Sequence, residues 1–86
     1  MSGQLTMYST SWCGYCHRLA GQMDREGIEF SVVDIEADPE AAALVEQVNR
    51  GNRTVPTVRV FPPDGGSEVV LTNPSLSEVK QVLGLS

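Results

Sequence analysis

The stretch STSWCGYCHRLA, residues 9–20, holds two cysteines two residues apart, and the chain has no others. Thiols at that separation can cycle between a dithiol and a disulfide, and the thiolate of one can attack a foreign disulfide. The backbone around them decides whether they do. The run QLTMYS (4–9) alternates apolar and polar residues and reads as a strand. After Cys13, the apolar positions Cys16, Leu19, Ala20 and Met23 recur at helical spacing. A C-x-x-C where a strand passes into a helix is the setting of a redox pair. Cys13 then falls at the helix N-cap or in its first turn. Unpaired N–H groups and the positive end of the helix dipole there favour thiolate over thiol. Cys16 returns to the same face one turn deeper, close enough to close a disulfide but less exposed. The spacing therefore predicts an outer nucleophile, Cys13, and an inner resolving thiol, Cys16.

Other readings of the pair are weaker. Structural zinc wants four N or S ligands, and the chain offers two cysteines and one histidine, His17, directed elsewhere on the helix. No metal site is expected. A disulfide spanning two intervening residues would remove almost no chain entropy, so it is a poor staple. Two inert buried thiols remain possible in principle, but the strand–helix context argues against them. Trp12 and Tyr15 flank the pair. As structure, both would be core aromatics; as site, they would wall the sulfur and offer a surface to an incoming thiol. His17 and Arg18 fit a solvated helix face as well as a contact to a bound anion, and neither is assigned a catalytic role.

These residues need a scaffold. Gly27 supplies a left-handed stop to the first helix. IEFSVVDI (28–35) is rich in β-branched residues and reads as a second strand. Asp38-Pro39 starts a helix, with an N-cap oxygen followed by proline at the first helical position. That helix runs through Ala41, Leu44, Val45 and Val48 to residue 50, and Gly51 ends it. TVRVF (57–61) and SEVVLT (67–72) are strands joined by the turn residues PPDGG, so they form a hairpin. Asn73-Pro74 or Ser75-x-x-Glu78 caps a last helix with Leu76, Val79, Val82 and Leu83 inward. The order β-α-β-α-β-β-α predicts an α/β fold. The first β-α-β is a right-handed parallel crossover. The hairpin strands are expected antiparallel to it, and helices cover both faces of a four-stranded mixed sheet.

At 86 residues the chain is one domain, 41% hydrophobic and 20% charged, with a net charge of −5. That acidity excludes a phosphate-neutralising nucleic-acid surface and a polybasic membrane patch. No run approaches the roughly 18 apolar residues of a membrane span. MSGQLTMYST lacks the features of a signal peptide. A cytosolic location follows as the expectation, and disulfides there are usually transient and catalytic.

A second signal lies in NRTVPTVRV. Pro56 precedes a strand, where its missing N–H is tolerated, and its isomer is open from the residues alone. Taken together, WCGYC and RTVPTV resemble the thioredoxin superfamily, and its glutaredoxin branch most, over nearly the whole chain. The resemblance implies the thioredoxin fold and a cis Pro56 packed against the sulfurs. It implies that Thr54, Val55 and Pro56 bind the thiol substrate, Val55 pairing its backbone with the cysteinyl part as an added strand would. It also implies that Arg53 reaches toward that thiol.

The departures from the family pattern point to the substrate. Glutathione-using glutaredoxins carry proline between the cysteines, where this chain has Gly14-Tyr15. They carry a positive residue shortly before the pair, where this chain reads YSTSW. They carry a Gly-Gly-x-Asp-like turn after the fourth strand, where this chain reads LTNPSLSE. Gly65-Gly66 precedes that strand and is hairpin turn. A site without those charge-binding parts suits a thiol lacking glutathione's two carboxylates. Mycothiol, a cysteine carried on an amino-sugar and inositol, is such a thiol, and WCGYC, RTVPTV and LTNPS resemble the mycothiol-dependent branch. Asn73 and Ser75 would then offer hydrogen bonds to sugar hydroxyls, or else serve only to cap the helix. The implied activity is reduction of protein–mycothiol mixed disulfides by a monomer, with mycothiol as co-substrate, S-mycothiolated proteins as partners and no bound cofactor. Two other activities share the pattern: a dithiol hydrogen donor recharged by a flavin reductase, and an iron–sulfur cluster carrier. Cys16, often serine in the latter, weighs against it.

Overall fold

The computed structural model describes residues 4–62 and 65–85. Its elements are β1 (Gln4–Ser9), α1 (Gly14–Arg25), β2 (Ser31–Asp34), α2 (Pro39–Val48), β3 (Thr57–Phe61), β4 (Val69–Thr72) and α3 (Leu76–Val82). The predicted β-α-β-α-β-β-α order holds. The four strands form one mixed sheet in the order β2-β1-β3-β4. β1 and β2 run parallel, and β3 runs antiparallel to β1. β4 is antiparallel to β3, so it runs the same way as β1. The expectation that both hairpin strands oppose β1 is corrected here, because a hairpin reverses the chain and only its first strand can.

Local chemistry explains the boundaries. α1 ends in a Schellman motif: Ile28 N–H reaches Met23 O at 3.0 Å, Gly27 N–H reaches Asp24 O at 3.1 Å, and Gly27 has φ 72°. That exit occupies residues 27–30, so β2 is shorter than the 28–35 expected. α2 begins as predicted, with the Asp38 carboxylate accepting from Glu40 and Ala41 N–H at 3.1 Å each. Its end differs from expectation. The helix stops at Val48, and Arg50 takes the left-handed position at φ 56° ahead of Gly51. Gly51 N–H then closes the turn on Glu46 O. β4 starts at Val69 rather than at residue 67, because pairing begins at Val60↔Val69. Glu68 instead turns its carboxylate to Arg59 Nε at 2.6 Å. Of the hairpin turn PPDGG, Pro63 and Asp64 lie outside the described residues; Gly65 has φ 84°. For α3 the structure selects Ser75 over Asn73-Pro74: its hydroxyl accepts from Glu78 N–H, and Glu78 Oε1 accepts from Ser75 N–H at 3.1 Å.

Strand alternation sends side chains to two separate packing layers. Leu5, Met7, Val58 and Val60 meet α1 and α3 through Leu19, Met23, Val79 and Leu83, and both cysteines belong to this layer. Tyr8 and Ile35 meet α2 through Ala41, Ala42 and Val45. Val48, at the last turn of α2, is exposed. Val55, in the loop that leads into β3, packs against both layers. Lys80 Nζ reaches Glu26 Oε1 at 2.7 Å, linking α3 to the end of α1. Among the described residues no helix is long and apolar enough to cross a membrane.

Candidate active site

Cys13 is the N-cap residue of α1, in extended backbone at φ −83° and ψ 107°. Its Sγ accepts a hydrogen bond from Cys16 N–H at 3.1 Å. An N-cap is usually an oxygen residue; here a sulfur fills the role. The N–H groups of Gly14 and Tyr15 have no partner among the described residues and add to the positive potential at this end. Both cysteines are free thiols.

The two sulfurs differ less in exposure than expected. Cys13 is 4% exposed and Cys16 1%. Both sulfurs are buried, and Cys13 does not protrude as an outer thiol was expected to. Its sulfur turns inward to the Cys16 amide, and the Cys13 thiol donates to Val55 O across 3.9 Å. The exposed groups are instead the aromatics. Trp12 is 71% exposed and Tyr15 68%, which rules out the core-aromatic reading of both. Burial pushes the Cys16 thiol up to about 12, and the adjacent Cys13 sulfur pushes the same way, against a partial pull downward from the Thr10 backbone. Cys16 therefore holds its proton at neutral pH.

The Val55–Pro56 peptide is cis, as the resemblance implied, and Pro56 is fully buried. The Val55 N–H has no partner among the described residues, so the backbone edge of the loop before β3 offers a free donor beside the Val55 carbonyl that faces Cys13. Thr54 contributes its carbonyl to the loop, accepting from the Thr57 hydroxyl at 2.7 Å. Asn73 stands across the loop. It adopts φ 47°, its N–H donates to Pro56 O at 2.7 Å, and its exposed side-chain amide has no partner among the described residues. The Ser75 hydroxyl is committed to the α3 cap. Arg53 extends toward α2, its Nε 3.5 Å from Glu46 Oε1 in an exposed pair. His17 Nε2–H donates to Ser11 O at 2.9 Å and fastens the loop that carries Trp12.

Tyr15 and Asn73 lie on opposite walls of a groove of about 210 Å³, with Arg18 and Gln22 of α1 on one side and Ser75 and Leu76 of α3 on the other. Sequence reasoning passed over three residues around the site. The Thr10 hydroxyl is buried and has no partner among the described residues, although Thr10 O accepts from Cys13 N–H at 3.3 Å. Asn49 Nδ2 donates to the Thr57 hydroxyl at 3.1 Å, and that hydroxyl donates to Thr54 O, closing the loop around Pro56. Thr57 could have been noticed as a polar residue opening an apolar strand; Asn49 reads locally as nothing more than a helix end.

Sulfur chemistry on this sheet is that of the thioredoxin-fold thiol–disulfide oxidoreductases. Within that class the chain belongs to the glutaredoxin family, whose profile matches residues 5–61. It is 49% identical over 83 residues to a protein of Mycobacterium tuberculosis provisionally named a glutaredoxin, covering 96% of this chain and 93% of that one. It is 44% identical over 75 residues to Mycoredoxin 1 of Corynebacterium glutamicum, covering 87% of this chain and 86% of the relative. The solution structure of the Brucella melitensis glutaredoxin matches with a TM-score of 0.63 at 24% identity, over 93% of this chain and 80% of that one, a likeness of fold. The protein is a glutaredoxin-like thiol–disulfide oxidoreductase.

Proposed function

We propose that the protein reduces mixed disulfides between proteins and mycothiol, working as a cytosolic monomer with Cys13 as nucleophile. The observation that carries the reading is the Cys13 sulfur held at 3.1 Å by the Cys16 amide, directly beside the half-free backbone edge of Val55. The cysteinyl part of the substrate pairs with that edge, its acceptor meeting the Val55 N–H. Loss of the Cys13 proton ends the contact from its thiol to Val55 O and frees that carbonyl as a second pairing group. The thiolate attacks the mycothiol sulfur, a Cys13–mycothiol disulfide forms, and the protein thiolate departs and takes up a proton. A second mycothiol thiolate then attacks the mycothiol sulfur of the intermediate. Oxidised mycothiol leaves and the Cys13 thiolate returns.

Cys16 closes a slower branch. It can expel mycothiol and form the 13–16 disulfide only after surrendering a proton that its burial retains. The preference for mycothiol rests on chemistry near the sulfur. Arg53 is engaged with Glu46 rather than free for a carboxylate. The groove between Tyr15 and Asn73 presents the amides of Gln22 and Asn73 beside the Arg18 guanidinium, with Asn73 as the unengaged donor and acceptor for a polyol hydroxyl. Trp12 and Tyr15 face the solvent where a protein substrate arrives. The reaction uses sulfur alone and calls for no bound group.

The deciding experiment offers the reduced protein one cysteine peptide conjugated in turn to mycothiol and to glutathione. Faster turnover of the mycothiol conjugate, by about tenfold in kcat/KM, is expected. Equal rates, or preference for glutathione, would overturn the substrate assignment and leave the thiol–disulfide chemistry intact.

A further inference from the structure

Asn49, the C-cap of α2, lies at the end of the helix on the sheet face opposite the cysteines. Its side-chain amide nevertheless makes three hydrogen bonds. Nδ2 donates to Val45 O at 2.8 Å and to Thr57 Oγ1 at 3.1 Å, and Oδ1 accepts from Thr72 Oγ1 at 2.7 Å. Both amide protons and one carbonyl lone pair are used, so the amide cannot rotate without breaking the set.

The partners are the residues that bound the two substrate-facing turns. Thr57 directly follows Pro56, is almost fully buried, and closes the loop by donating to Thr54 O. Thr72 directly precedes Asn73 and pairs with Thr57 in the sheet. Asn73 in turn donates its N–H to Pro56 O. One side chain thus ties the loop 54–57, which presents the Val55 edge, to the turn at Asn73, which walls the groove. Neither Asn49 nor Thr72 touches a sulfur.

We infer that Asn49 is a positioning residue, setting the distance between the Val55 edge and Asn73 and so the fit of the thiol that docks between them. This rests on the docking edge proposed above but not on which small thiol uses it. Its signature is a change in KM with the sulfur chemistry left alone.

The test measures Asn49→Ala against the unaltered protein on both the mycothiol and the glutathione peptide conjugates, with iodoacetamide alkylation of Cys13 alongside. Iodoacetamide needs no docking edge. KM is expected to rise about tenfold for both conjugates, the scale of one to two net hydrogen bonds. kcat and the alkylation rate should stay within about twofold. Thr72→Val keeps the shape and removes one bond to Asn49; a KM rise of about threefold is expected, and this variant decides the matter if Asn49→Ala does not fold. An unchanged KM in a folded variant overturns the inference, as does a fall in alkylation parallel to turnover. Failure of the mycothiol assignment would show differently, as a lack of discrimination between conjugates in the unaltered protein.

Discussion

On one face of the sheet, α1 and α3 pack long side chains such as Met23 and Leu19 around two thiols. On the other, α2 lays two alanines and Val45 against Tyr8 and Ile35, a thinner layer with no reactive group. The cysteines draw their environment from the first face, where a helix begins on Cys13 and burial keeps Cys16 protonated. The substrate edge belongs to neither face. Val55 packs against both layers, and the loop that carries it is anchored from below by the end of α2. On the proposed reading, one layer sets reactivity while the other sets where the partner is held.

The largest expected effect isolates the first face. Cys13→Ser should lower mixed-disulfide reduction by at least about a thousandfold, since a serine hydroxyl is a far weaker nucleophile; initial rates that stay near those of the unaltered protein would remove Cys13 from its role. Next, Met23→Ala should cost about 2–5 kcal/mol of stability, because the side chain is fully buried. Val45→Ala, opposite it, deletes less volume and should cost less. Urea melts of the two variants measure the difference between the layers, and equal costs would erase it.

The third effect concerns pH. In the unfolded chain Cys16 loses its proton near its ordinary 9.0, whereas in the folded chain it holds it to about 12. Below that window the group contributes no pH dependence; within it the unfolded state binds fewer protons, so stability falls as pH rises. Melts of the reduced protein at pH 8 and pH 11 should show a fall that Cys16→Ser makes smaller. The same variant should keep mixed-disulfide reduction within about threefold when small thiol is supplied; complete loss would shift the chemistry to the dithiol branch. Smallest of all, Arg53→Ala should change stability by under about 1 kcal/mol, since its pair with Glu46 is exposed. A rise in thiol KM well beyond twofold in that variant would mean that Arg53 leaves Glu46 to meet substrate.

Much of this molecule is written in short segments. Gly27 after a helical stripe and Asp38-Pro39 each act over four or five residues, so their caps are legible in the sequence, whereas α3 has two candidate starts there, Asn73-Pro74 and Ser75-x-x-Glu78, and the structure selects the second. The C-x-x-C at the strand-to-helix passage likewise dictated a sulfur on the first helical amides. Even the α2 exit shows the limit of local rules. Gly51 is left-handed as expected, at φ 92°, but the helix already ends at Val48 and Arg50 joins Gly51 in the left-handed region at φ 56°.

What the residues determined by themselves is therefore local: the order of elements, the cysteine at the helix start, and the proline before β3. What only the tertiary structure decided is everything that joins distant segments. It sank Cys13 against Val55, 42 positions away, and turned Trp12 and Tyr15 outward. It drew Arg53 to Glu46 and brought Thr72 to Asn49, 23 positions earlier. A cap depends on neighbours that the chain itself keeps close, so sequence specifies it; a contact across the sheet depends on which strands pair and how deeply the helices settle, and those follow from burial summed over the whole fold.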